Sequence, residues 1–281
     1  MIVMGGKTSK VEKIAFYTVL ALVMVLVLFP IYWMAVTSIK TEGEVITEVP
    51  VWIPTVATLE HYKEVIIDME FVKYIVNTAI VSVIAVLISL ITGAFAAYAL
   101  ARLPLPAKLA SSFLFFVLLI RMLPSGAFVI PLYLILDRLN LINTLLGLAI
   151  AYQVYTLPYS IWLLLGFFRA LPSELEEAAM VDGASRLIIL KDVVFPMIAP
   201  GLASTAILNF IMCWGEYLYA LIFLSSPDVL TVSVVIGGFI TEYGTLWGEL
   251  CAAALLSSLP VLAFSFYVQK YIIRSYMMIS K

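Results

Sequence analysis

Six stretches of the 281-residue chain are almost continuously apolar, at about 14–36, 75–100, 109–136, 145–168, 197–224 and 250–268. Charges and prolines gather between them. Each stretch is close to or beyond the roughly 20 residues that a helix, rising about 1.5 Å per residue, needs to cross a hydrocarbon core of about 30 Å. Polar residues do not return at the helical period that a water-facing stripe would require. The pattern predicts an all-α, polytopic membrane protein with about six transmembrane helices. Lys7, Lys10 and Lys13 precede the first stretch, but it is longer than the apolar region of a signal peptide and no small-residue cleavage site follows. It is read as a retained helix.

Composition agrees with lipid as the solvent. Hydrophobic residues make up 64% of the chain and charged residues 12%, against about 25% charged in soluble domains, and the mean hydropathy is +1.11. The net charge of -2 comes without a basic block, so no nucleic acid partner is expected. Cys213 and Cys251 lie in apolar runs without CxxC spacing and read as buried hydrophobes. Charge placement sets the orientation. Lys7, Lys10, Lys13, Arg102, Lys108, Arg169, Arg186, Lys191, Lys270, Arg274 and Lys281 fall on one side, while Lys40, Lys63, Lys73 and Arg138 are the basic residues on the other. The positive-inside rule makes both termini cytoplasmic and leaves two long outside segments, 38–74 and 225–249, with room for short surface helices.

Residues 171–185, between the fourth and fifth stretches, read LPSELEEAAMVDGAS. Ser173 with Glu176 three positions later is a capping-box pattern, Pro172 and Glu174 suit a first turn, and Gly183 stands where a left-handed cap would end a helix. A cytoplasmic helix of about three turns follows, too short to be stable without packing. Leu175, Ala178 and Ala179 offer a small apolar face, and Glu177 is placed to meet a basic residue across an interface. Four acids, Glu174, Glu176, Glu177 and Asp182, would be repelled by anionic headgroups. Docking to protein is predicted.

Glu177-Ala178-Ala179, Gly183, Val193 and Phe195-Pro196 resemble the EAA motif of permease subunits in binding-protein-dependent ABC importers. Val193 and Phe195 stand where the pattern usually has Ile and Leu. Phe29-Pro30-Ile31-Tyr32-Trp33-Met34, residues 96–102, Arg121-Met122-Leu123-Pro124, Trp214-Gly215-Glu216-Tyr217 and Leu246-Trp247-Gly248-Glu249 are similar to the MalG-type carbohydrate permeases. Gly215 replaces a frequent Asn, and the tail from Arg274 departs from the family's ending. The resemblance implies a type I ABC importer transmembrane fold in the cytoplasmic (inner) membrane of a prokaryote. It implies a tail, first helix and most of the first external loop in 1–70, a transport core in 71–272 with a coupling loop at 172–196, and a cytoplasmic tail in 273–281. It further implies that Glu177, Ala178, Ala179, Asp182, Gly183 and Pro196 make the ATPase coupling contact. The expected partners are a second, MalF-like permease, two ABC ATPase subunits, an extracytoplasmic solute-binding protein and membrane lipid. ATP and Mg belong on the ATPase, with no cofactor on this chain.

Within the spans, an ionisable group is costly and marks a bundle interior or an aqueous path. Arg121 is one, just before Pro124, where the third helix is expected to break. Tyr155, Trp214, Glu216 and Tyr217 join it as substrate-path candidates, since aromatic faces and carboxylates suit sugars; packing and the interfacial aromatic belt are the structural alternatives. Ser89, Gly93, Ala97 and Ala101 form a small-residue stripe for close helix packing. Gly6-Lys7-Thr8 lacks the first glycine and preceding strand of a phosphate loop. His61 is the one histidine, which leaves no histidine-based metal cluster or triad, and the chain is not expected to be an enzyme. An ion-gradient transporter using Arg121 and Glu216 is the alternative to an ATP-driven sugar importer.

Overall fold

The computed structural model describes the main chain of residues 10–279 and side chains as far as residue 267. Gly6-Lys7-Thr8 and the side chains of Lys270, Arg274 and Lys281 lie outside the described residues. The chain divides into two compact units, one of residues 1–70 and 239–256, the other of residues 71–238 and 257–281.

In the first unit, α1 (Lys10–Thr37) is apolar and exposed on all sides over most of its length, as a helix facing lipid must be. The segment beyond it forms single turns at Glu42–Val45 and Glu60–Lys63, followed by a π-helical turn at Glu64–Asp68. Two strands of two residues each, β1 (Ile240–Thr241) and β2 (Gly244–Thr245), pair as a small antiparallel hairpin. Otherwise the described elements are helical.

The second unit holds α2 (Phe71–Arg102), α3 (Ala107–Met122), α4 (Val129–Arg138), α5 (Leu145–Ala151), α6 (Gln153–Ala170), α7 (Glu174–Val181), α8 (Phe195–Trp214), α9 (Leu218–Phe223) and α10 (Val232–Gly237). The long α11 (Trp247–Ile279) begins in the first unit and ends in the second. Four helices are long and apolar enough to cross a membrane, and two bent pairs bring the number to as many as six. The pair Ala107–Met122 and Ser125–Arg138 turns through 105° at Leu123-Pro124. The predicted break is there, but it is sharp enough that 109–136 is not one straight crossing. α3 alone covers about 24 Å. The pair α5 and α6 bends by 49° at Tyr152.

The fifth stretch also ends sooner than its hydropathy suggests. α8 stops at Trp214, and α9 starts a new helix whose first amides, Tyr219 N and Ala220 N, donate to the Glu216 carboxylate at 2.9 and 3.1 Å. A carboxylate bonded to a helix's first amides also complements its dipole. Glu216 therefore breaks the span rather than riding within it.

The small-residue stripe of α2 packs inside the chain. Ser89, Gly93 and Ala97 are buried, and a Cβ added to Gly93 would lie 2.7 Å from Ser160 Cβ of α6. Such an approach is open only to residues without bulk. Asn209 of α8 completes the junction by donating to Ser89 Oγ at 3.1 Å and Ser160 Oγ at 2.7 Å. Three helices thereby share one buried amide. Around the C-terminal half of α2, Ala94, Ala97, Leu164, Phe168, Ile189 and Val194 form a core against which Ala179 and Ala184 pack.

Candidate functional site

α7 stands apart from the spans because its sequence supplies both ends. Gly183 adopts φ +83°, a conformation that costs a side-chain-bearing residue about 1–2 kcal/mol. Its amide donates to Met180 O at 3.0 Å, and Ala184 N donates to Ala179 O at 3.0 Å. Those two bonds make the Schellman ending expected from the glycine. The start of the helix differs from expectation. Ser173 already has helical backbone angles, φ -68° and ψ -25°, and its side chain makes no cap bond. A side-chain cap needs an extended backbone at that residue.

Glu176 is the consequence. Instead of closing a capping box, its buried carboxylate turns toward α2, accepting Tyr98 Oη at 2.9 Å and Arg102 Nε at 2.5 Å. Arg102 Nη2 also donates to Leu171 O at 2.6 Å, just before α7. One guanidinium thus holds both the helix and the chain entering it. Ala179 packs on the core around Ala97 and Phe168, while Glu177, Ala178 and Asp182 are exposed. Leu175 is 39% exposed, so the apolar face predicted for the helix is carried inward by Ala179 alone. Val181 and Leu187 are 88% and 74% exposed. Pro196 lies in the first turn of α8, directly after a π-helical turn at Ile189–Val194. With no amide to donate, proline is tolerated in that turn. Glu177, Ala178, Ala179, Asp182 and Gly183 thus sit on one short helix and its C-terminal cap, anchored on one side and bare on the other, while Pro196 stands apart on α8.

The substrate-path candidates do not gather in one place. Arg121 and Tyr155 line a cavity of about 320 Å³ with Ser125, Tyr159 and Met212. The Arg121 guanidinium sits 5.1 Å from the centre of the Tyr159 ring, within cation–π range. Trp214 packs with Val86 and Phe210, and its indole donates to Ser257 O at 3.0 Å. Glu216 caps α9, and Tyr217 packs on Gly237, where an added Cβ would come within 2.8 Å of the ring. Tyr159 and Asn209 add two polar positions to those that the sequence pattern marks. Tyr159 follows Tyr155 by one helical turn, and that spacing was the available signal.

His61 does acquire neighbours. Among the described residues, ligand atoms of His61, Glu64 and Glu249 all lie within 4.8 Å of one another. Glu64 stands three residues further along the same segment, and Glu249 comes from the first turn of α11.

Residues 89–277 match the model of a family described as binding-protein-dependent transport system inner membrane component. The chain is 37% identical to the diacetylchitobiose uptake system permease protein DasC of Streptomyces coelicolor, over 86% of this chain and 87% of that one. It is 35% identical to the trehalose/maltose transport system permease protein MalG of Thermococcus litoralis, over 90% of each. Among solved structures it is similar to a bacterial ABC transporter involved in the import of the acidic polysaccharide alginate. The TM-score is 0.78 at 25% identity, covering 95% of this chain and 99% of that one. A methionine ABC transporter, at 16% identity and a TM-score of 0.62 over 73% of this chain and 95% of that one, shares the fold.

Proposed function

The chain belongs to the binding-protein-dependent transport system inner membrane components, and from that premise we propose that α7 is the element through which a separate ATPase drives passage of a sugar or oligosaccharide. The protein is a multi-pass permease subunit of an ABC importer, and ATP is handled by its ATPase partner. A binding protein delivers the solute to such importers.

The observation that carries the coupling role is the two-sidedness of α7. Glu176 is tied to Tyr98 and Arg102, Gly183 closes the end, and Glu177, Ala178 and Val181 face outward. A helix held in this way transmits displacement to α2 rather than bending. In this reading the contact surface is Glu177, Ala178, Asp182 and Gly183, with Ala179 seating the helix on the core and Pro196 setting the start of α8. Residues 71–272 are the transport core and 172–196 its coupling loop. Both termini are cytoplasmic, and a second permease and two ATPase subunits complete the assembly. Relatives named for diacetylchitobiose and for trehalose and maltose support a saccharide cargo. The cavity beside Arg121, Tyr155 and Tyr159 is the site proposed for direct contact with it.

The test is reconstitution of the full importer in liposomes. Disaccharide uptake is expected to require ATP and to be indifferent to ionophores. Glu177→Lys and Gly183→Asp are expected to leave subunit levels unchanged while ATP hydrolysis no longer drives uptake. Normal uptake by both variants sinks the coupling role, and ionophore-sensitive uptake by this chain alone would establish the ion-gradient alternative.

A further inference from the structure

The first unit contains a side-chain cluster that the transport mechanism does not use. His61, from the turn at Glu60–Lys63, is 4% exposed, and Glu249, in the first turn of α11, is 5% exposed. Nε2 of His61 lies 2.9 Å from Lys40 O. A carbonyl can only accept, so Nε2 carries the proton and, in the neutral imidazole, Nδ1 presents its lone pair. That buried Nδ1 has no hydrogen-bond partner among the described residues. It faces Glu249 Oε1 at 3.3 Å. Two electron-rich atoms meeting out of water repel unless a proton or a metal ion lies between them.

The surroundings are shaped for this meeting. A Cβ at position 248 would fall 2.3 Å from Cε1 and Nε2 of the imidazole, so only Gly248 lets the ring lie against the start of α11. Glu64, more exposed, brings a second carboxylate to the cluster. His61 and Glu249 line the wall of a cavity of about 300 Å³, which leaves room for water at a fourth position. Lys40 makes no ion pair with either carboxylate among the described residues; its ammonium lies 4.3 Å from the centre of the Trp33 ring.

We propose that His61, Glu64 and Glu249 form a site for a divalent transition-metal ion of the zinc type. One imidazole nitrogen and two carboxylates are a recurrent donor set for such an ion, with water completing the shell. Metal–ligand distances of about 2.0–2.1 Å in a tetrahedron put neighbouring ligand atoms roughly 3.3 Å apart, which is the observed Nδ1 to Oε1 separation. The bond from the second ring nitrogen to a backbone carbonyl is the usual support for a metal-bound histidine. Two carboxylates and a neutral imidazole balance a dication in charge. A calcium-type ion is disfavoured because it takes 6–8 oxygen ligands. The bound ion would join the segment around 61–64 to the first turn of α11.

The test uses the assembled importer in lipid nanodiscs, stripped with a chelator, dialysed and titrated with Zn2+ alone. Wild type is expected to retain one more Zn2+ per copy of this chain than His61→Ala or Glu249→Gln. Co2+ in place of Zn2+ should give a visible ligand-field spectrum that both variants lose. Glu64→Gln changes an exposed side chain, so folding is not at issue, and it should weaken Zn2+ binding at least about tenfold. Its unfolding midpoint without metal should be unchanged, while the midpoint rise that Zn2+ produces in wild type shrinks. Equal Zn2+ content and identical Co2+ spectra in wild type and Glu64→Gln overturn the proposal. A wild type that binds no Zn2+ above His61→Ala also overturns it and leaves a protonated His61–Glu249 ion pair.

Discussion

Arg102 Nε and Glu176 Oε1 meet at 2.5 Å, joining the last turn of α2 to the short helix α7. Both side chains are largely withdrawn from solvent, at 16% and 8% exposure. Removing one partner of such a pair strands the other. Arg102→Ala is expected to destabilise the chain by about 3 kcal/mol, read from detergent-denaturant unfolding of the purified subunit. Arg102→Lys should recover only part of this, because one ammonium cannot reproduce the guanidinium fork that also reaches Leu171 O. A full recovery would mean that charge alone, and not the fork, holds α7.

Gly183 poses a different constraint. No atom lies within 4 Å of a Cβ built there, so the cost of a side chain comes from φ +83° and not from crowding. Gly183→Ala should cost about 1–2 kcal/mol, with Gly183→Asn cheaper because Asn visits the left-handed region more readily. The same unfolding assay ranks the three, and an alanine variant as stable as wild type would contradict the strain argument.

The reverse holds at Gly93, which is crowded but has no special φ. Gly93→Val must push α2 from Ser160 and should cost about 1–3 kcal/mol through overpacking. Gly166 in α6 has open space at its Cβ position, so Gly166→Ala should gain up to about 1 kcal/mol from helix propensity. Opposite signs at two helical glycines are the measurable outcome.

At the start of α2, two polar side chains reach the same loop with unequal consequences. Asn77 Nδ2 donates to Asp228 O at 2.9 Å and Leu230 O at 3.0 Å. Lys73 pairs with the exposed carboxylate of Asp228 and, by its hydrogen bond and charge, holds that carboxyl below the usual range. A depressed folded-state value means that any stabilisation is fully present above the unfolded value, about 3.9, and is lost as pH falls through the folded one. Between pH 5 and 8 the pair should therefore give no pH dependence. Asn77→Ala should cost about 1–3 kcal/mol by removing two hydrogen bonds to part-buried carbonyls, and Lys73→Ala much less, because water screens an exposed pair. A Lys73 effect equal to that of Asn77 would refute this ranking.

Much of the molecule follows from local pattern. Long apolar runs must be helical in lipid, because only a helix satisfies its own amides there, and Pro124 and Gly183 act on their immediate neighbours. These features, with the Glu177-Ala178-Ala179 motif, are legible in order along the chain. Side-chain partnership could not. Ser173 and Glu176 had capping-box spacing, but Arg102, from a different helix, offered the carboxylate a stronger charged partner, and the box did not form. Glu216 looked like a charge within a span, whereas the short separate helix α9 made it a cap. His61 looked solitary because Glu249 stands far along the chain. Local sequence determined where the apolar helices run and where α7 ends; only tertiary structure decided where the fifth stretch breaks and which polar groups meet, since burial makes each seek a partner from whichever element the fold brings near.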